Sequence, residues 1–151
     1  MTIQVAIQAN ESNQALPSEE DLCNFIKHLV SHAFFADIAD NSILSLVLID
    51  DNLMKKLNMQ YRNQKKTTDV LSFGISEMTP MGYLWGEVFI SPVQAKVNAD
   101  EKKISLIQEL KLLIIHALVH LKGYDHENDE QLLIMQKHEN ELFNFISRGD
   151  C

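Results

Sequence analysis

Cysteine is almost missing from this chain: two occur in 151 residues, Cys23 and Cys151, too few for a disulfide framework. Neither has a Cys or His at a spacing that would hold zinc, so Cys23 reads as a small core-facing residue and a reducing compartment fits. Behind Met1 there is no basic stretch followed by an apolar core, which argues against a secretory signal. Long apolar runs are missing too. The most apolar window, Leu112–Leu121, is about half of what a membrane helix needs. With three prolines, five glycines and no repeats or low-complexity tracts, nothing resembles a linker. The expectation is a single domain over 1–151, soluble and cytoplasmic, with no membrane partner.

What is present is ordinary for a globular protein: 46% hydrophobic and 23% charged residues, enough to build one core. The net charge of −8 argues, taken alone, against a nucleic-acid partner. The charge is uneven, however. From Asn52 to Thr68 the chain carries Lys55, Lys56, Arg62, Lys65 and Lys66 and no acid, whereas Asp125, Glu127, Asp129, Glu130, Glu139, Glu141 and Asp150 gather towards the C-terminus. A local phosphate-binding patch is permitted; a solvated helix face and loop explains the pattern at least as well.

Ile3, Val5 and Ile7 alternate with polar residues and predict a half-buried strand. Ser18 can cap a helix whose apolar stripe is Leu22, Phe25, Ile26 and Leu29. Ile43–Ile49 reads as a second strand, and Asp50 or Asp51 as the cap of a short helix to about Tyr61, with Leu53, Leu57 and Met54 inward. Val70–Phe73 predicts a short strand, Gly74–Gly86 a loop because of Pro80, Gly82 and its polar residues, and Glu87–Ser91 another strand. Ser91-Pro92 opens a helix that breaks near Asp100; a long helix follows over about Ile104–Lys122. Asn128 with Gln131 resembles the capping box of a last helix, to about Ile146. The fold class expected is α+β: a small mixed sheet packed against several helices.

The segment Ile115–Glu127 carries the chemistry. His116 and His120 are four apart on a strongly helical stretch, so both imidazoles project from one face. Gly123 is a natural helix stop, after which the chain can turn back and return His126 towards the same point. Three neutral imidazoles suit one divalent ion, zinc first, with nickel, cobalt or copper as competitors, and leave a fourth position open. The central helix would thus carry a His-x3-His motif on a metzincin-like metal platform. Metzincin proteases share the spacing but place a glutamate directly after the first histidine, where this chain has Ala117; the peptidase general base is lacking. His28 and His32 are also four apart, without a glycine stop or a third histidine, and read as helix-surface residues, as does His138.

The run His116-Ala117-Leu118-Val119-His120-Leu121-Lys122-Gly123-Tyr124-Asp125-His126 resembles the H-G-x-L-H-L-x-G-Y-D-H motif of the YbeY family, bacterial endoribonucleases. Asn58–Arg62 followed by Thr68–Phe73 is similar to the family's N-x-x-Y-R…T-D-V-L-S-F segment, and Gly86–Ser91 to its G-D-I-x-I-S strand. Ala117 stands for the usual glycine and Glu87 for the usual aspartate. The resemblance implies a metal-dependent, single-strand-specific endoribonuclease of small-subunit rRNA 3′-end processing and ribosome quality control. Its partners would be single-stranded RNA and ribosomal particles, with no DNA expected. Arg62 matches the family's functional arginine, so Arg62 and His116 are the catalytic candidates; a plain ion pair is the alternative for Arg62. Asp69 could orient a ligand, fix its loop or cap a turn, and Asp125 could simply shape the turn. Two rival readings stay open: a metalloprotease, opposed by Ala117, and a non-enzymatic ribosome assembly factor with a structural metal.

Overall fold

The computed structural model describes residues 1–9, 15–63 and 68–149, so Lys65, Lys66, Asp150 and Cys151 lie outside the described residues. Strand β1 (Thr2–Ile7), helix α1 (Glu19–Val30), strand β2 (Ser42–Leu48) and helix α2 (Asp51–Arg62) come first. Strands β3 (Val70–Thr79) and β4 (Gly82–Ile90) follow, then helices α3 (Pro92–Lys102), α4 (Leu106–Leu121) and α5 (Asp129–Gly149). The four strands form one mixed sheet in the order β1-β2-β4-β3. β2 pairs parallel with both β1 and β4, and β3 runs antiparallel along β4 as an edge. The α+β class with a small mixed sheet is as expected.

β2 explains how the sheet is covered. Its Leu44, Leu46 and Leu48 enter the main core with α1, α4 and α5, while Val47 faces a smaller cluster of Ile49, Met54 and Leu71 beneath α2. A strand buried on both faces needs a nearly continuous apolar run, which Ile43–Ile49, interrupted only by Ser45, supplies. Cys23 is half-buried against the main core, its Sγ 3.7 Å from the Ile3 carbonyl oxygen, as a core-facing residue should be.

The helix starts are local and follow the sequence. Ser18, Asp50 and Ser91 cap α1, α2 and α3, each accepting a backbone N–H three residues on. Within α2, Met54 is fully buried and Leu53 is exposed, contrary to the expected inward stripe. Positions 54, 57, 58 and 61 share one face at helical spacing, and Leu53 lies one position round from it. The break expected near Asp100 falls later, at Lys103, whose φ of 61° ends α3. Ser105 and Gln108 then form a reciprocal capping box that opens α4, and the chain turns through 110° between the two helices. Buried Glu109 accepts from Lys102 Nζ at 2.7 and 3.0 Å and clamps this corner. Among the described residues no single helix is long and apolar enough to cross a membrane.

The predicted loop over Gly74–Gly86 is instead a hairpin. β3 extends to Thr79 and turns through Pro80 and Met81 into β4, which begins at Gly82. Thr79 Oγ1 closes the turn, donating to the Gly82 carbonyl at 2.7 Å. The polar residues that suggested a loop are those an edge strand turns towards water. A bulge between Gly74 and Glu77, with Ser76 at a φ of 54°, absorbs one extra residue on β3.

Candidate functional site

Helix α4 is buried nearly all round: Leu113, Ile114, Ile115, Ala117, Leu118 and Val119 are all within the core. His116 and His120 are its half-buried interruptions. Each finds an acceptor for Nδ1. His116 Nδ1 donates to Glu139 Oε1 of α5 at 3.0 Å, and His120 Nδ1 to the Tyr124 carbonyl oxygen at 3.1 Å. A carboxylate and a carbonyl can only accept, so both histidines carry their proton on Nδ1 when neutral. Nε2 of each ring is then the unprotonated nitrogen, the state a metal ligand requires.

The helix stops where glycine was expected to stop it. Gly123 has a φ of 107°, and its N–H bonds the His120 carbonyl at 2.9 Å. Just before it, Lys122 pairs with Asp37, and that hydrogen bond holds the Asp37 carboxyl below its ordinary pKa. The chain then turns back and stacks the His126 ring on His116, centroids 5.9 Å apart. Asp125 shapes this turn, its Oδ1 accepting from the His126 N–H at 2.8 Å. Among the described residues, however, no three His, Cys, Asp or Glu side chains are gathered into a group that could hold a metal ion. The structure brings His126 beside His116 and prepares the two helix histidines; it does not close the trio into a coordination group.

Arg62 ends α2 and is exposed. Its neighbour Tyr61 packs on Phe73 of β3, ring centroids 5.0 Å apart, at the smaller cluster on the sheet face opposite α4. Among the described residues no hydrogen bond or ion pair joins Arg62 to the histidines; β3, against which Tyr61 packs, also packs against α4. Asp69 fixes the start of β3 by accepting from Asn98 Nδ2 of α3 at 2.9 Å, while its carbonyl accepts from the Ser91 N–H at the same distance.

Three other residues take parts that the sequence did not reveal. Glu139 counted only as one of the C-terminal acids, and Tyr124 only as part of the motif. His138, expected on the helix surface, is half-buried between Phe34 and Tyr124, centroids 4.8 and 4.6 Å away. It faces inward because Met135, His138, Glu139 and Leu142 share the buried face of α5, a pattern diluted in sequence by its polar neighbours. His28 is exposed and stacks on Phe145, as a surface residue can; His32 lies beyond α1, where its Nδ1 accepts from the Phe34 N–H and caps a short 3-10 turn.

The family model for endoribonuclease YbeY matches residues 6–147, which takes in Arg62, all three motif histidines and Glu139. The chain belongs to the YbeY family. An endoribonuclease YbeY of Persephonella marina is 36% identical over 137 residues, covering 89% of this chain and 90% of the relative. Another, from Campylobacter jejuni, is 37% identical over 131 residues, covering 85% and 89%. The fold is similar to the solution structure of TM1509 from Thermotoga maritima, with a TM-score of 0.58 and 27% identity over 95% of this chain and 90% of that one. YbeY membership draws the three motif segments into one framework, from Asn58 to His126.

Proposed function

We propose that this chain is an endoribonuclease that cuts single-stranded RNA, acting in the cytoplasm on ribosomal particles in small-subunit rRNA 3′-end maturation and ribosome quality control. It would use one divalent ion, zinc first and nickel or another transition metal as competitors, held by His116, His120 and His126. The observation that carries this reading is the pair of Nδ1 acceptors, Glu139 and the Tyr124 carbonyl, which leave Nε2 of His116 and His120 as donors. The chemistry of the two helix histidines therefore fits the ion, and the exposed His126 beside His116 would be the third imidazole.

Bound there, the ion would act as a Lewis acid on a phosphoryl oxygen and lower the pKa of water. The chain supplies the rest. His116 and His120 are fixed on a rigid buried helix, so two of the three imidazoles cannot drift with loop motion. Arg62 offers a forked, permanently charged donor to a phosphate. Exposed Lys55, Lys56 and Arg62 make α2 a locally basic surface on a chain of net charge −8. Ala117 leaves no carboxylate where a related peptidase keeps its base. Family membership supports RNA rather than peptide as substrate, and it lends no support to the peptidase or the purely structural reading.

The test is untagged protein offered single-stranded RNA and casein, with and without chelator, alongside metal analysis. RNA should be cut, chelator should stop the cutting, and casein should survive. His116→Ala and His120→Ala should each lose stoichiometric metal. Casein cleavage without RNA cleavage would reverse the assignment, and a full equivalent of metal in the double variant would displace the ion from these histidines.

A further inference from the structure

We infer that α5 is the brace of the site, with Glu139 as the positioning residue for His116 and His138 as its counterpart for His120. The inference rests on the metal reading above and names residues which that reading does not use as ligands.

Glu139 Oε1 lies 3.0 Å from His116 Nδ1, and the two side chains are 27% and 36% exposed, sheltered enough for the bond to persist. The carboxylate meets the ring at the nitrogen remote from the donor atom. It therefore orients the imidazole and sets its tautomer, and it does not stand in for the base that Ala117 fails to supply. One residue earlier, His138 packs on the Tyr124 ring, and the Tyr124 carbonyl is the acceptor for His120 Nδ1. Consecutive residues of one helix thus steady both histidines of another: one through a hydrogen bond, one through the turn residue that holds its partner. The brace is itself anchored, because Met135 and Leu142 on the same face of α5 are fully buried. An acceptor carried on so fixed an element costs little further ordering when an ion arrives.

Removing such an acceptor weakens metal affinity by about 10- to 100-fold, because the ring can then rotate or move its proton to the nitrogen that must donate. The experiment uses the full chain as wild type, Glu139→Gln, Glu139→Leu and Glu141→Gln, the last as a control for charge at an exposed site on the same helix. Zinc affinity is read by competition with a chromogenic chelator, the His116 tautomer by nitrogen-15 NMR of metal-free protein, and folding by thermal melts.

Wild type should hold the Nδ1 proton on His116 before any zinc is added. Glu139→Leu should lose that preference and bind zinc about 10- to 100-fold more weakly. Glu139→Gln, which keeps an accepting oxygen, should recover most of the affinity, and Glu141→Gln should match wild type. An Nε2 proton on His116 in metal-free wild type would overturn the inference without any variant, so a Glu139→Leu protein that fails to fold does not shelter it. Wild-type affinity in a folded Glu139→Leu, or a Glu139→Gln as weak as Glu139→Leu, would overturn it too, with the metal reading intact. Wild type that takes up neither zinc nor nickel, cobalt or copper would remove both.

Discussion

Leu121, the last residue of α4, fills the space that a side chain on Gly86 of β4 would need. A Cβ there would stand 2.8 Å from Leu121 Cδ1 and 3.2 Å from the Phe73 carbonyl oxygen across the hairpin. The leucine end can give way, but the carbonyl belongs to a paired strand and cannot. Gly86→Ala should therefore destabilise the fold by about 1–3 kcal/mol, the usual cost of overpacking. Denaturant melts would measure it. In a Leu121→Ala background only the share due to the leucine contact should vanish, and the share due to the Phe73 carbonyl should remain. A cost that disappears altogether in that background would mean the carbonyl contact is harmless.

Gly123 presents the opposite situation. A Cβ at this position meets nothing within 4 Å, yet the φ of 107° is one that L side chains rarely adopt. Any penalty is then conformational alone. Gly123→Val should lose about 1–3 kcal/mol of stability, with Gly123→Ala milder because alanine is not β-branched. The valine variant should also bind zinc more weakly, since the return of His126 starts from this turn. Unchanged melting and unchanged zinc affinity would count against the turn-back arrangement.

Arg62→Ala separates positioning of the metal from handling of the phosphate. Metal content and melting temperature should stay at wild-type values, because Arg62 is exposed and is not a ligand. RNA cleavage should fall by roughly a hundredfold if the guanidinium stabilises charge on the reacting phosphate. Arg62→Lys should restore little, since an ammonium keeps the charge and loses the fork. Near wild-type cleavage by Arg62→Ala would make the arginine a surface cation and nothing more.

What could be read from the sequence was local. The caps Ser18, Asp50 and Ser91 act within three residues of themselves, so their effect needs no knowledge of the fold. The Gly123 stop and the return of His126 were legible for the same reason. Ser105 and Gln108 were equally local and passed unread beside the apolar run they introduce. The far half of the β3 hairpin was illegible because an edge strand and a polar loop have the same composition. Glu139 and His138 were hidden for a different reason. Their partners are His116 and Tyr124, and only the packing of α5 on α4 pairs them.

That packing has a consequence for how the molecule opens. His116, His120, Tyr124, His126 and Glu139 all come from one unbroken stretch of chain, and none comes from the sheet. An ion held there would tie α4 to the turn that carries His126 and leave the four strands untouched. Its binding free energy would be stored in that stretch, worth about 2.7 kcal/mol when free zinc stands at a hundred times its dissociation constant. Stripping the metal should then show first as faster amide hydrogen exchange in the turn from Gly123 to Asn128, with β1, β2 and β4 still protected.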